Sequence, residues 1–139
     1  MINMSQRIGA CIIILDVTNT KVLLGKRIND YKSGFYGLPA GCLKDKEQFR
    51  DCAKRELREE TGLDAVNLEY LGEIREHDVN GSFLHVAYKC NKHEGKLTLK
   101  EPDKCEKWEF HSLDNLPANL IVEHKIAIEM AIGKKELLF

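Results

Sequence analysis

The chain lacks a hydrophobic run long enough for a membrane. Its longest, residues 8–15, is strand length, far below the ~20 residues that span a bilayer. Residues 1–7 are too short and polar for a secretory leader. No C-x-x-C pair occurs among Cys11, Cys42, Cys52, Cys90 and Cys105, and their number is odd. That disfavours a zinc site or a disulfide framework and suits small buried thiols in a reducing, cytoplasmic setting. Charge of one sign is also missing: 21 Lys and Arg stand against 22 Asp and Glu, a net charge of −1. A nucleic-acid polymer as partner would leave a basic footprint. A single nucleotide stays open, because a metal ion neutralises phosphate locally. Internal repeats, linkers and low-complexity tracts are absent.

What is present suffices for a core. Hydrophobic residues make up 43% of 139, enough for one domain over residues 1–139 without staples. Residues 8–15 read as a strand buried on both faces, and residues 22–27 as its hairpin partner across a turn-rich stretch. Residues 28–37 read as a loop. A helix is expected over residues 46–61, with Asp45 as N-cap and Gly62 as its stop. Strands follow at 68–75 and 83–90, joined by a turn containing Asn80-Gly81. A charged loop covers 92–103, a strand 106–111 and a closing helix 119–132. This order implies an α/β (α+β) fold with a mixed sheet.

The helical segment carries an unusual pattern. Gly41, Glu47, Arg55-Glu56-Leu57, Glu59-Glu60 and Gly62-Leu63 stand at fixed spacings; a chance match is rarer than about one in a million chains. At about 100° per residue, Phe49, Cys52, Ala53 and Leu57 share one side. Glu56 and Glu60 fall near the middle of that same side, and Glu59 at its edge. Arg50, Asp51, Lys54 and Arg58 take the opposite face. A merely solvated helix would keep its carboxylates away from the apolar stripe. Glu56 and Glu60 are also a like-charge pair one turn apart, which weakens an isolated helix. A hard divalent cation would offset both costs, since Mg2+ prefers carboxylate oxygen. Such an ion suits phosphate chemistry, with a nearby carboxylate as general base.

Residues 41–63 match G-x5-E-x7-R-E-U-x-E-E-x-G-U, U being apolar, at every fixed position, and so resemble the Nudix hydrolases. The resemblance implies an α/β/α sandwich with a loop–helix–loop catalytic motif. It implies enzymes that cleave nucleoside diphosphates linked to another group, with Mg2+ as cofactor and Mn2+ as a substitute. Carried over by position, Glu59 and Glu60 would ligate the metal, and Glu56 would be a further ligand or the general base. Arg55 would orient Glu56, and Glu47 would brace the motif. The Ala40 carbonyl matches a common metal-ligand position.

The flanks 7–9, 22–27, 38–41 and 101–108 are similar to the MutT-like nucleoside triphosphate pyrophosphohydrolases. In that group Arg27 would contact phosphates, Gly41 would let substrate approach, and Glu101 or Glu106 would near the metal. Phe83 and His85 would face the base. The implied reaction turns (deoxy)nucleoside triphosphates, including oxidised or modified ones, into monophosphate and pyrophosphate. A homodimer is common in the subgroup. Ala40, Cys42, Lys44 and Lys46 depart from its usual glycine, histidine, acidic residue and glycine. Hydrolysis of ADP-ribose, another nucleotide sugar or a dinucleotide is the second reading. Against it, Asp78 stands where ADP-ribose enzymes tend to carry proline, and no tyrosine lies between Tyr70 and Tyr88. A non-catalytic nucleotide sensor would be expected to lose motif carboxylates, and Glu56, Glu59 and Glu60 are all here.

Overall fold

The computed structural model describes residues 5–29, 32–78 and 81–133. Its elements in chain order are β1 (Ser5–Ile13), β2 (Lys21–Arg27), β3 (Tyr36–Gly37), β4 (Ala40–Cys42) and α1 (Phe49–Thr61). Then come β5 (Asp64–Asp78), β6 (Gly81–Glu94), β7 (Cys105–Ser112) and α2 (Val122–Ile132). One sheet has the order β4-β1-β6-β5 and a second the order β3-β2-β7. β1 runs parallel to β6 and antiparallel to β4, so the larger sheet is mixed, as expected.

The alternation of side chains along β1 creates the layers. Ala10, Ile12 and Ile14 pack with Cys52, Ala53 and Leu57 of α1. Cys11 and Ile13 pack with Ala127 and Ile128 of α2. None of these residues is more than 2% exposed. A continuous apolar run is what a strand needs when a helix covers each of its faces. The result is the expected α/β/α sandwich. Cys11 and Cys52 are fully buried thiols outside any disulfide.

The structure departs from the pattern in four places. β2 is no hairpin partner of β1 in a shared sheet. Past the end of β1 the two segments meet through one bridge, Leu15 with Val22, and two bonds, from the Leu23 N–H to the Ile14 carbonyl at 2.9 Å and from the Asp16 N–H to the Lys21 carbonyl at 3.0 Å. β2 then becomes the central strand of the smaller sheet, because Val22, Leu23 and Leu24 are fully buried and need cover on both faces. β5 and β6 run longer than their apolar stretches, since a backbone ladder extends past the core. Asn80, expected in the turn between them, lies outside the described residues; Gly81 opens β6.

Helix α1 starts at Phe49 rather than residue 46, and its N-cap is Gln48 rather than Asp45. Lys46 has φ of 64°, left-handed backbone that a right-handed helix cannot include. The subgroup's glycine would adopt that conformation without strain. At the other end Gly62 stops the helix as expected, with φ of 77° and its N–H on the Arg58 carbonyl. α2 begins at Val122 because backbone pairing captures the residues before it. Tyr36 donates to the Asn119 carbonyl and accepts from the Ile121 N–H, both at 2.9 Å. No described helix is long and apolar enough to cross a membrane.

Candidate active site

Helix α1 seats Cys52, Ala53 and Leu57 against the larger sheet and leaves Arg50, Asp51, Lys54 and Arg58 exposed. Glu56 and Glu60 are half-buried on the same side as Cys52, Ala53 and Leu57. β4 passes close to them. A Cβ on Gly41 would overlap the Glu56 carboxyl, and one on Gly9 would overlap the Gly41 carbonyl. Glycine at both positions is therefore a steric requirement for bringing strand backbone against the carboxylates.

Arg55 organises the acidic groups. Its Nε donates to Glu47 Oε2 at 2.8 Å and its Nη2 to Glu47 Oε1 at 2.9 Å. This two-pronged geometry is a strong form of ion pair. Nη1 donates to Glu56 at 2.7 Å and Glu59 at 3.0 Å, and Nη2 also reaches the Cys42 carbonyl at 3.0 Å. The Arg55 hydrogen bonds hold Glu47 down at about 2. The same contacts hold the guanidinium charged.

Glu60 has the opposite situation. Burial, and then the neighbouring Glu56 carboxyl, raise it well above the usual carboxylate range. The Ala40 N–H, at 3.2 Å, only partly offsets this. The Trp108 indole donates to the Glu60 main-chain carbonyl at 3.1 Å. Trp108 thus packs against the core, ties down the end of α1 and lines the cleft beside it.

That cleft has a volume of about 330 Å³. Of the residues expected at the site, Arg27, Ala40, Gly41, Glu56, Glu59, Glu60, Phe83, His85 and Glu101 all line it. Arg55 stands behind the acidic wall, bonded to Glu56 and Glu59. Glu106 does not join them: it is exposed and pairs with Lys26 at 3.9 Å. Glu101 lies in the loop before β7, where burial and then the nearby carboxylates outweigh Lys104 and raise it above the usual range. Cys42 is exposed at the rim.

The far end of the cleft is aromatic. Phe83 and His85 stack with ring centroids 4.1 Å apart and planes 10° from parallel. The Arg7 guanidinium lies 5.0 Å from the Phe83 centroid. His85 Nε2 meets Glu76 Oε1 at 3.0 Å, and Lys32 reaches the other Glu76 oxygen at 3.4 Å. His124 of α2 meets the His85 ring edge-on at 5.4 Å. Sequence reading assigned nothing to His124 or Lys104, yet both line the cleft. A signal for His124 existed: it follows Ile121 by three residues and precedes Ile128 by four, the spacing of a buried helical stripe.

The acidic wall fits a hard cation better than a softer one. Among the described residues, no three acidic, histidine or cysteine side chains converge into a ready-made cage. Mg2+ does not need one. It binds through one or two carboxylates, keeps several waters and completes its shell with substrate phosphates. Glu56, Glu59, Glu60 and Glu101 supply oxygen only, and the raised Glu60 marks the charge a cation would relieve.

Comparison with known proteins bears on the family and the fold. The NAD-capped RNA hydrolase NudC of Vibrio vulnificus (strain CMCP6) is 34% identical, over 80% of this chain and 41% of that protein. The chain thus spans about two fifths of that relative's length. The ADP-ribose pyrophosphatase of Methanocaldococcus jannaschii is 31% identical, over 80% of this chain and 65% of its own. The crystal structure of a MutT NUDIX hydrolase from Burkholderia pseudomallei superposes with a TM-score of 0.84 and 26% identity, covering 91% of this chain and 98% of that one. The model of the NUDIX domain family matches residues 5–130, and the chain therefore belongs to the Nudix hydrolase superfamily.

Proposed function

We propose that the protein is a magnesium-dependent pyrophosphohydrolase that converts (deoxy)nucleoside triphosphates, oxidised or modified ones among them, into monophosphate and pyrophosphate. One observation carries this reading. Four carboxylates share a cleft with Arg27 and Lys104, while its other end is lined by the stacked Phe83 and His85 rings. Phosphates suit the first end and a base the second. Manganese would substitute for magnesium in the same oxygen-rich wall.

In this reading Glu59, Glu60 and the Ala40 carbonyl would hold the ion, and Glu101, in the loop before β7, would be a further ligand. When bound, such an ion neutralises phosphate oxygens and acidifies water. Glu56 completes the metal shell or takes the proton from the attacking water. Arg55 fixes its carboxylate through the 2.7 Å bond while Glu47 anchors Arg55 from behind. Arg27 and Lys104 orient the phosphate chain, and Gly41 leaves room for it. Phosphoryl transfer of this kind depends on positioning and charge stabilisation more than on covalent chemistry.

A second reading rests on the relatives themselves. Their names specify NAD-capped RNA and ADP-ribose, so cleavage of a dinucleotide or nucleotide sugar uses the same acidic wall with a different leaving group. A substrate panel with product identification separates the two. Release of pyrophosphate from triphosphates is expected. AMP and ribose 5-phosphate from ADP-ribose, with no pyrophosphate from any triphosphate, would transfer the assignment to the second reading.

A further inference from the structure

His124 is a polar group in the cleft that the mechanism leaves unused. It is 1% exposed. Its Nδ1 accepts the Leu38 backbone N–H at 2.9 Å. An amide N–H can only donate, so Nδ1 carries the lone pair and the proton of the neutral imidazole sits on Nε2. Burial keeps the ring neutral, with His85 and Arg27 acting in the same direction. The Nε2–H is buried and has no hydrogen-bond partner among the described residues. Its edge-on neighbour, the His85 ring, offers only a weak π contact.

A buried donor without an acceptor is costly, and natural structures seldom keep one without a use. Here the donor belongs to a residue that lines the cleft, beside the flat Phe83–His85 stack. It lies on a different helix from the acidic wall. An acceptor seated against that stack would satisfy the group.

We propose that His124 is a specificity-determining residue: its Nε2–H donates to an acceptor atom, a carbonyl oxygen or ring nitrogen, on the base of the nucleotide. This rests on the nucleotide reading above and adds the group that distinguishes one base from another. The Leu38 bond fixes the ring orientation from a position three residues before Gly41. Base recognition and the β4 approach to the carboxylates thus share one anchor.

The test separates the two nitrogens. His124→Asn retains a short acceptor for the Leu38 N–H and removes the distal donor, whereas His124→Gln offers a distal donor. Steady-state rates with magnesium would be measured for ATP, GTP, CTP and UTP, and for ribose 5-triphosphate, which has no base. H124N is expected to lose roughly tenfold in kcat/KM on the preferred nucleotide, mainly through KM. Discrimination among the four bases should narrow, base-free turnover should stay unchanged, and H124Q should recover part of the loss. In the wild type, the 15N-labelled His124 imidazole signal should move when the matching nucleoside monophosphate is added without metal.

Equal loss on ribose 5-triphosphate, or an unchanged base preference in folded H124N, would overturn the proposal. A wild-type protein that turns over nucleotides while the His124 signal stays still would overturn it too, leaving the pyrophosphohydrolase reading intact. A wild-type protein that neither binds nor cleaves any nucleotide defeats both.

Discussion

At the α1 end of the cleft, Glu56, Glu59, Glu60 and Glu101 stand together, with one guanidinium bonded to two of them. At the α2 end, His85 and His124 are buried and shifted toward neutrality, beside Phe83. One end gathers carboxylates, and the other gathers rings, with Arg7 over Phe83 and the Glu76–Lys32 pair against His85. The acidic end would be completed by a cation and its phosphates. The imidazole end would be completed by a neutral ring with a hydrogen-bond acceptor. The difference teaches that, on the nucleotide reading, holding phosphates and choosing a base would fall to different helices, joined through the short segment from Leu38 to Cys42.

The largest expected effect tests whether chemistry belongs to the acidic end. Glu56→Gln should lower kcat by roughly 10²–10⁴-fold, with the thermal midpoint and nucleotide binding retained. Normal turnover by the folded variant would remove Glu56 from the mechanism. Gly41→Ala comes next. Its backbone needs no special conformation, but the added methyl displaces the Glu56 carboxyl. Misplacement on the order of 1 Å costs about 10²-fold, so kcat should fall by that amount without loss of fold. Wild-type rates in this variant would show that the close approach has no catalytic consequence.

Smaller effects are read from stability. Magnesium at about 100 times its dissociation constant should stabilise the wild type by roughly 2.7 kcal/mol, and chelation should reverse the shift in thermal midpoint. Glu60→Gln should abolish most of that gain and melt higher than the wild type in chelator, because it removes a buried carboxyl raised by burial and Glu56. An undiminished magnesium shift in E60Q would place the ion elsewhere.

The smallest effect belongs to the neutral end. The folded-state pKa values of His85 and His124 are depressed below 6.5. Below that pH the unfolded chain takes up protons that the folded protein refuses. Their contribution to stability is therefore full above about pH 6.5 and declines as pH falls toward the folded values. With magnesium present, the thermal midpoint of the wild type should fall more steeply from pH 7 to 5 than that of H124N. Parallel curves would mean that His124 titrates normally.

The two ends also differed in how well the sequence revealed them. The acidic wall was readable because all but one of its carboxylates lie on a single helix, where a 100° step fixes which face each takes. Burial of Cys52, Ala53 and Leu57 and exposure of Arg50, Asp51, Lys54 and Arg58 follow that projection. The neutral end draws on β6, α2 and the strand-end residue Arg7, which lie far apart in the chain. Sequence reading assigned His124 nothing; the helical spacing that could have buried it names no neighbour. Glu101 and Glu106, five residues apart in one charged stretch, were inseparable until the start of β7 sent one into the cleft and the other out to Lys26. The early start assigned to α1 failed for a local reason, the left-handed Lys46, which no apolar spacing reports.

By itself the sequence determined the sandwich and the spacing of Glu56, Glu59 and Glu60, because helical and strand periods are local properties of the backbone. The tertiary structure alone decided that Arg55 reaches back to Glu47, that Trp108 holds the Glu60 carbonyl, and that His124 faces the same cleft as the carboxylates. Those contacts depend on how the helices pack against β1, β4 and β6, and close packing is fixed by all the side chains together.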